Sequence, residues 1–159
     1  MALSNKQVEL ARRLRQENPL FDEYSREWRS FNACYNGMPG KSERLRVMNT
    51  VFANIAEDSA AGILAALPNE INYFTYLPPG NLFLGAADPK FRSTTTADLQ
   101  IINDPNSTAV KRLSHFAAVL YQIRCNITHA GKDPIDARDN DLLRFALAGL
   151  KLILAILLK

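Results

Sequence analysis

The sequence contains few of the residues on which disulfide frameworks and zinc sites depend. Only two of its 159 residues are cysteine, Cys34 and Cys125, and only two are histidine, His115 and His129. The cysteines lie too far apart to form a zinc-ligand pair, and no further cluster completes one, so we expect no metal and no other cofactor. Two reduced, partly buried thiols are typical of a cytoplasmic protein.

Long hydrophobic runs are also absent. Charged residues between Lys6 and Arg15 interrupt the N-terminal region, so it has no apolar core of a secretory signal. The most apolar segment, 142–158, is interrupted by Arg144 and Lys151 and is shorter than the roughly 20 residues that span a bilayer. We therefore expect no membrane association. A net charge of +3 at pH 7 permits an anionic partner such as RNA without requiring one.

Apolar residues recur every three or four positions through most of the chain, which predicts an all-α protein. We interpret residues 1–159 as a single domain, an antiparallel bundle of four to six helices. The stripes are Tyr24, Trp28, Phe31 and Tyr35; Leu45, Met48, Phe52 and Ile55; Val110, Leu113, Ala117 and Leu120; and Leu142, Phe145, Ala146, Leu150, Ile153 and Leu157. The aromatic stripe has strictly helical spacing and no interleaved basic residues, which favours core packing over base stacking. The last stripe is broad enough to be shared with a partner subunit.

The helical pattern breaks between residues 68 and 106. Five prolines and two glycines punctuate short apolar pieces there. Structureless segments of this length are uncommon inside compact domains and are usually functional or flexible. The sequence predicts an irregular insertion at about 68–106, with or without a short hairpin, lying over one face of the bundle.

The two histidines differ in their relation to Arg124. His115 lies nine residues before this arginine, about 900° around a helix, which places the two on opposite faces. We interpret His115 as a structural or surface histidine. His129 lies five residues after Arg124, about 140° around, where Gly131 predicts that the helix ends. A loosened last turn would let Arg124 and His129 reach one cleft.

The residues after Arg124 resemble a known motif. The run RCNITHAGK, residues 124–132, resembles the RxxxxH signature of the HEPN (higher eukaryotes and prokaryotes nucleotide-binding) superfamily. The stretch WRSFNACY, residues 28–35, is similar to an aromatic-FNA-aromatic segment on the second helix of many prokaryotic members, and an apolar final helix also follows the motif. The resemblance implies a helical bundle that dimerises so that two RxxxxH motifs face one another across a cleft.

Active members of this superfamily are metal-independent endoribonucleases, often toxins or phage-defence effectors. The resemblance therefore implies that Arg124 and His129 are catalytic, with Asn126, Thr128 and Lys132 supporting them or binding RNA. It implies RNA or a nucleotide as ligand, a homodimer, and an antitoxin or other protein as a further possible partner. The chemistry suits these residues, because imidazole titrates near pH 6.5 and guanidinium matches phosphate oxygens.

Two other interpretations fit the same residues. The chain could be a non-catalytic HEPN-like module that binds a nucleotide or RNA without cutting it. It could also be a helical interaction module in which Arg124 and His129 are ordinary helix-end residues. The sequence does not separate these alternatives from a ribonuclease.

Overall fold

The computed structural model describes residues 2–15, 18–129 and 137–159, with backbone alone at positions 13, 14, 128, 129 and 137. The all-α class is confirmed, since these ranges form helices and no strand. They contain eight helices rather than four to six: α1 (Asn5–Leu14), α2 (Pro19–Tyr35), α3 (Glu43–Asn54), α4 (Glu57–Ala65), α5 (Pro68–Tyr76), α6 (Ser93–Ile102), α7 (Ala109–His129) and α8 (Ala137–Leu157). Helix α7 is central and packs against α3, α4, α6 and α8, whereas α2 packs against α8 and α3.

The aromatic stripe of α2 is buried as predicted. Asn18 caps the helix, its Oδ1 accepting hydrogen bonds from the next backbone N–H groups, and Pro19 follows at a position where its missing N–H costs nothing. All four rings are buried in the core: Tyr24, Trp28, Phe31 and Tyr35. The hypothesis that this stripe packs inside rather than stacking on bases is confirmed.

Helix α3 buries a different face from the predicted one. Ser42 caps it, its Oγ accepting a hydrogen bond from the Leu45 N–H. The buried residues of the helix are Val47, Thr50 and Val51, whereas Leu45 and Phe52 are exposed. Ile55 of the predicted stripe is buried just after the helix ends. The helix carries two apolar stripes, and the face packed against α7 holds the smaller β-branched residues, which allow close approach of the two helices.

The prediction of irregular structure over 68–106 is wrong for 68–76 and 93–102, which form α5 and α6. Pro68 occupies the first turn of α5, where proline is well tolerated, so it starts a helix rather than breaking one. Helix α6 buries Thr95, Asp98, Leu99 and Ile102. Because Thr95 and Asp98 are polar, apolar periodicity does not reveal this buried stripe. Within this range, residues 77–92, the 77–92 loop, and residues 103–106 lack a helix, and the loop contains no hairpin.

Helices α7 and α8 bury their predicted stripes. Val110, Leu113, Ala117 and Leu120 of α7 are all buried, as are most members of the α8 stripe. The first backbone N–H groups of α7, from Ala109 and Val110, donate to the carboxylate of Glu57 on α4. No helix in the described ranges is long and apolar enough to cross a membrane.

A buried carboxylate joins three of these helices. Asp98 on α6 is 1% exposed, and the guanidinium of Arg44 on α3 donates to both of its oxygens at 2.8 and 2.5 Å. Nδ1 of His115 on α7 lies 2.7 Å from Asp98 Oδ1. His115 therefore has a structural partner, in agreement with its interpretation as a structural or surface histidine.

We expect Asp98→Asn to lower the free energy of unfolding by about 3 kcal/mol, because it leaves the Arg44 charge partly buried without its carboxylate. Urea denaturation measures the loss. Asp141→Asn is the matched control, because the Asp141–Arg144 pair is exposed and worth under about 0.5 kcal/mol. Equal effects of the two substitutions would contradict a structural role for Asp98.

Candidate functional site

Arg124 lies near the C-terminal end of α7, at the boundary between core and solvent. Its side chain is 26% exposed, and its Nη1 lies 3.8 Å from Oε1 of Glu43, the first residue of α3. This separation is an ion pair but is too long for a hydrogen bond. Glu43 therefore orients the guanidinium, while the N–H groups of Arg124 keep the capacity to donate to a ligand.

The carboxylate of Glu43 is itself held by two tyrosines. Tyr35 donates its hydroxyl to Oε1 at 2.7 Å, and Tyr121 donates to Oε2 at 3.3 Å. The Tyr35 oxygen accepts hydrogen bonds from Trp28 Nε1 at 3.1 Å and Asn32 Nδ2 at 2.8 Å. The FNA segment of α2 is therefore linked to the arginine of the RxxxxH motif through Glu43.

A groove between α2 and α7 exposes two guanidinium groups. It encloses about 150 Å³. Its lining residues are Tyr24, Ser25, Trp28, Arg29, Arg124 and Ile127. Arg29 is exposed, and among the described residues no carboxylate forms an ion pair with it. The groove therefore combines an aromatic floor with two permanent positive charges, a combination that suits a phosphate group.

Asn126 does not line this groove. It is 2% exposed, and its side chain holds the 77–92 loop: Nδ2 donates to the Gly80 carbonyl at 2.7 Å, and Oδ1 accepts from the Leu82 N–H at 3.2 Å. Oδ1 also accepts from Gln122 Nε2 at 3.0 Å. The hydrogen-bonding groups of Asn126 are therefore used inside the protein, where they position the loop beside the motif. Its role in supporting the catalytic residues or binding RNA stays a prediction.

Further contacts fix the stem of the 77–92 loop. Thr95 Oγ1 donates to the Pro79 carbonyl at 2.6 Å, and Arg138 Nη2 donates to the Leu77 carbonyl at 2.7 Å. Within the loop, the Asn81 N–H donates to the Phe91 carbonyl at 2.7 Å. The ring of Phe91 packs so closely on Gly80 that a Cβ there would clash. The loop is thus tied to α6, α7 and α8 at defined points.

The remaining predicted site residues lie wholly or partly outside the described residues. Lys132 lies outside them, as do the side chains of Thr128 and His129, so their roles stay predictions. The backbone of α7 is α-helical through His129, so the loosened last turn is not found. Positions 124 and 129 of one chain are therefore about 140° apart around the helix.

Two residues of the site were not predicted from the sequence. Glu43 lies far from Arg124 in sequence, and no local pattern connects them. Arg29 adjoins a core aromatic stripe, which gives no signal of a ligand site; its position directly after Trp28, within the 28–35 stretch, is the sequence feature that points to it.

The two cysteines are free and partly buried, as expected. Within the described ranges, no group of three or more His, Cys, Asp or Glu side chains is arranged to hold a metal ion.

No protein-family model matches this sequence, and comparisons with curated proteins and with solved structures find no match either. Membership of the HEPN superfamily therefore stays a prediction, based on the motif residues of this chain.

Tyr35 and Tyr121 can donate hydrogen bonds to the carboxylate of Glu43 only while their hydroxyls are protonated. Burial raises the pKa of Tyr35, and its hydrogen bond with Glu43 raises it further. Burial, followed by Cys125 and Glu43, raises the pKa of Tyr121. Both hydroxyls therefore stay protonated in the folded chain at pH values where free tyrosine ionises.

We expect the free energy of unfolding to fall as pH rises above about 10, because the unfolded chain then loses tyrosine protons that the folded chain retains. The contribution is fully present below that pH. Tyr35→Phe should make the fall shallower, as measured by urea denaturation between about pH 8 and 11. An unchanged slope in Tyr35→Phe would contradict the shift.

We expect Asn126→Ala to cost about 2 kcal/mol, because it leaves the Gly80 carbonyl and the Leu82 N–H without their partner. Hydrogen exchange at the Leu82 amide should accelerate. The control is Asn106→Ala at an exposed position, with an effect within about 0.5 kcal/mol. Undiminished protection of the Leu82 amide in Asn126→Ala would show that the loop does not depend on this side chain.

Proposed function

We propose that this chain is a metal-independent endoribonuclease of the HEPN type, working as a homodimer in which Arg124 and His129 of both subunits act on one phosphate. The toxin or phage-defence context, with an antitoxin or other partner protein, follows from the resemblance alone. The observation that carries the proposal is the groove between α2 and α7, which is lined by both Arg124, the arginine of the RxxxxH motif, and Arg29.

The reaction needs only groups that such a site supplies. The RNA 2′-oxygen attacks the adjacent phosphorus as its proton passes to a base, and the P–O5′ bond breaks as the 5′-oxygen takes a proton from an acid. The products are a 2′,3′-cyclic phosphate and a 5′-hydroxyl. Imidazole is suited to both transfers near neutral pH. A guanidinium such as that of Arg124 stabilises the charge that develops on the phosphoryl oxygens.

The count of histidines favours a two-subunit site. Concerted transfer needs one base and one acid, and the chain has only two histidines, of which His115 pairs with Asp98. Each subunit can therefore offer only His129. In a two-fold dimer one His129 takes the proton from the 2′-hydroxyl, and the other donates to the leaving oxygen.

The alternative is a non-catalytic protein. It would be either a HEPN-like module that binds RNA or a nucleotide, or a helical interaction module. The ion pair between Arg124 and Glu43 favours it, because this pair gives the arginine a partner within the chain. Binding of RNA without formation of 5′-hydroxyl ends would select the binding module.

We expect the purified protein to cut RNA in the presence of EDTA and to leave 2′,3′-cyclic phosphate and 5′-hydroxyl ends. His129→Ala and Arg124→Ala should each lower the rate by at least about 100-fold, because they remove proton transfer and charge stabilisation. His115→Asn is the matched histidine control and should retain cutting. Circular dichroism and thermal melting check that each variant is folded.

Subunit mixing tests whether the two subunits share one site. When wild type and His129→Ala are mixed equally and allowed to exchange, a site needing both histidines leaves about a quarter of the activity, whereas independent sites leave about half. Full activity of His129→Ala, or a strictly monomeric active protein, would contradict the proposal.

A further inference from the structure

The 77–92 loop exposes an aromatic ring beside the proposed active site. Phe83 is 66% exposed, although the backbone on its N-terminal side is firmly held. Its own N–H donates to Asn81 Oδ1 at 3.1 Å, and the preceding N–H, from Leu82, donates to Asn126. The ring is therefore carried on fixed backbone, and about two thirds of its residue's surface is exposed to solvent.

Helical geometry places this loop on the His129 side of α7. Position 129 lies three residues beyond Asn126, about 60° around the axis and about 4.5 Å along it. Position 124 lies about 160° from Asn126, toward the groove between α2 and α7. Asn126 contacts the loop directly, so the loop borders the face of α7 that carries Asn126. Position 129 is closer to this face than position 124 is.

The charge of the loop suits a polyanion. Lys90 and Arg92 are exposed. Asp88, the one carboxylate of the loop, accepts a hydrogen bond from the Lys90 N–H at 2.8 Å. Arg92 Nε donates to the Pro78 carbonyl at 2.8 Å, and its guanidinium carbon lies 5.0 Å from the centre of the Phe91 ring. These contacts fix the guanidinium near Phe91 while leaving donors for phosphate.

An exposed ring on a positively charged, fixed loop is the arrangement by which proteins hold single-stranded nucleic acid. A base inside a duplex has both faces stacked and cannot offer one to the ring, whereas an unpaired base can. We propose that Phe83 stacks on an unpaired base of single-stranded RNA close to the cleaved phosphate. This inference rests on the proposed RNA site and specifies its substrate as single-stranded.

Binding of an RNA that cannot be cut tests the proposal apart from catalysis. The probe is a fluorescent 2′-O-methyl oligonucleotide, which lacks the attacking hydroxyl, and fluorescence anisotropy measures its affinity. We expect Phe83→Ala to weaken binding about tenfold and Phe83→Trp to retain it, because only the first removes the stacking face. The slope of log affinity against log salt should be the same in Phe83→Ala and wild type, because no phosphate contact is lost.

The matched control is Phe52→Ala. Phe52 is 61% exposed, but it lies on α3 nine residues beyond Glu43, about 13 Å along the helix axis from the arginine's partner. The substitution is the same and the exposure similar, so a general loss of apolar surface would weaken binding in both variants. We expect only Phe83→Ala to have an effect.

Removal of the base provides the complementary measurement. An abasic residue moved along the oligonucleotide should weaken binding by wild type about tenfold at one position and have little further effect on Phe83→Ala there. A duplex of the same sequence should bind wild type and Phe83→Ala equally.

The outcomes separate this inference from the nuclease proposal. Binding that depends on Phe83, by a protein that does not cut, supports the stacking role and overturns the nuclease. Cutting with wild-type kcat and KM by a folded Phe83→Ala variant that also binds the probe normally overturns the stacking role alone. A wild-type protein that neither binds the probe nor cuts RNA overturns both.

Discussion

Burial of α7 is the constraint on which the rest of the structure depends. Four other helices surround it, so each polar group that it carries inward must find a partner within the protein. Glu57 satisfies its first N–H groups, Asp98 meets His115, and the 77–92 loop meets Asn126. Among the described residues, no buried side-chain nitrogen or oxygen lacks a partner. The polar contacts of α7 thereby fix the positions of α4, α6 and the loop.

The same constraint sets the geometry of the candidate site. Residues 116–120 of α7 are all buried, whereas buried and partly exposed residues alternate from 121 to 127, and Arg124 lies in this second part. One side of the last turns faces the groove with α2, and the other side holds the 77–92 loop through Asn126. A ligand at this end of the helix would therefore meet two guanidinium groups on one side and an aromatic ring, carried on fixed backbone, on the other.

The sequence predicted those parts of the fold in which local pattern and burial coincide. The rings of α2 are regularly spaced and lie on one face, so periodicity predicts their burial. Periodicity does not predict which face of α3 is buried, because the helix has two apolar stripes. Contact with α7 selects the stripe that contains Val47 and Val51. Helix α6 was missed because its buried face includes Asp98, whose partners come from α3 and α7. Arg124 could be singled out by its motif, whereas the burial of Asn126 and its contacts with the loop could not be predicted, because sequence does not report burial.

Glu43 is a carboxylate beside the proposed phosphate site, and its chemistry explains how both can coexist. Two tyrosine hydroxyls donate to it, which disperses its negative charge and weakens its hold on Arg124. A partly exposed ion pair at 3.8 Å is worth at most about 1 kcal/mol. A bidentate guanidinium–phosphate contact is stronger, so a phosphate can take over the donors without displacing the side chain. In the proposed site Glu43 would therefore act as a positioning residue, which holds the guanidinium of Arg124 beside the groove until a phosphate binds.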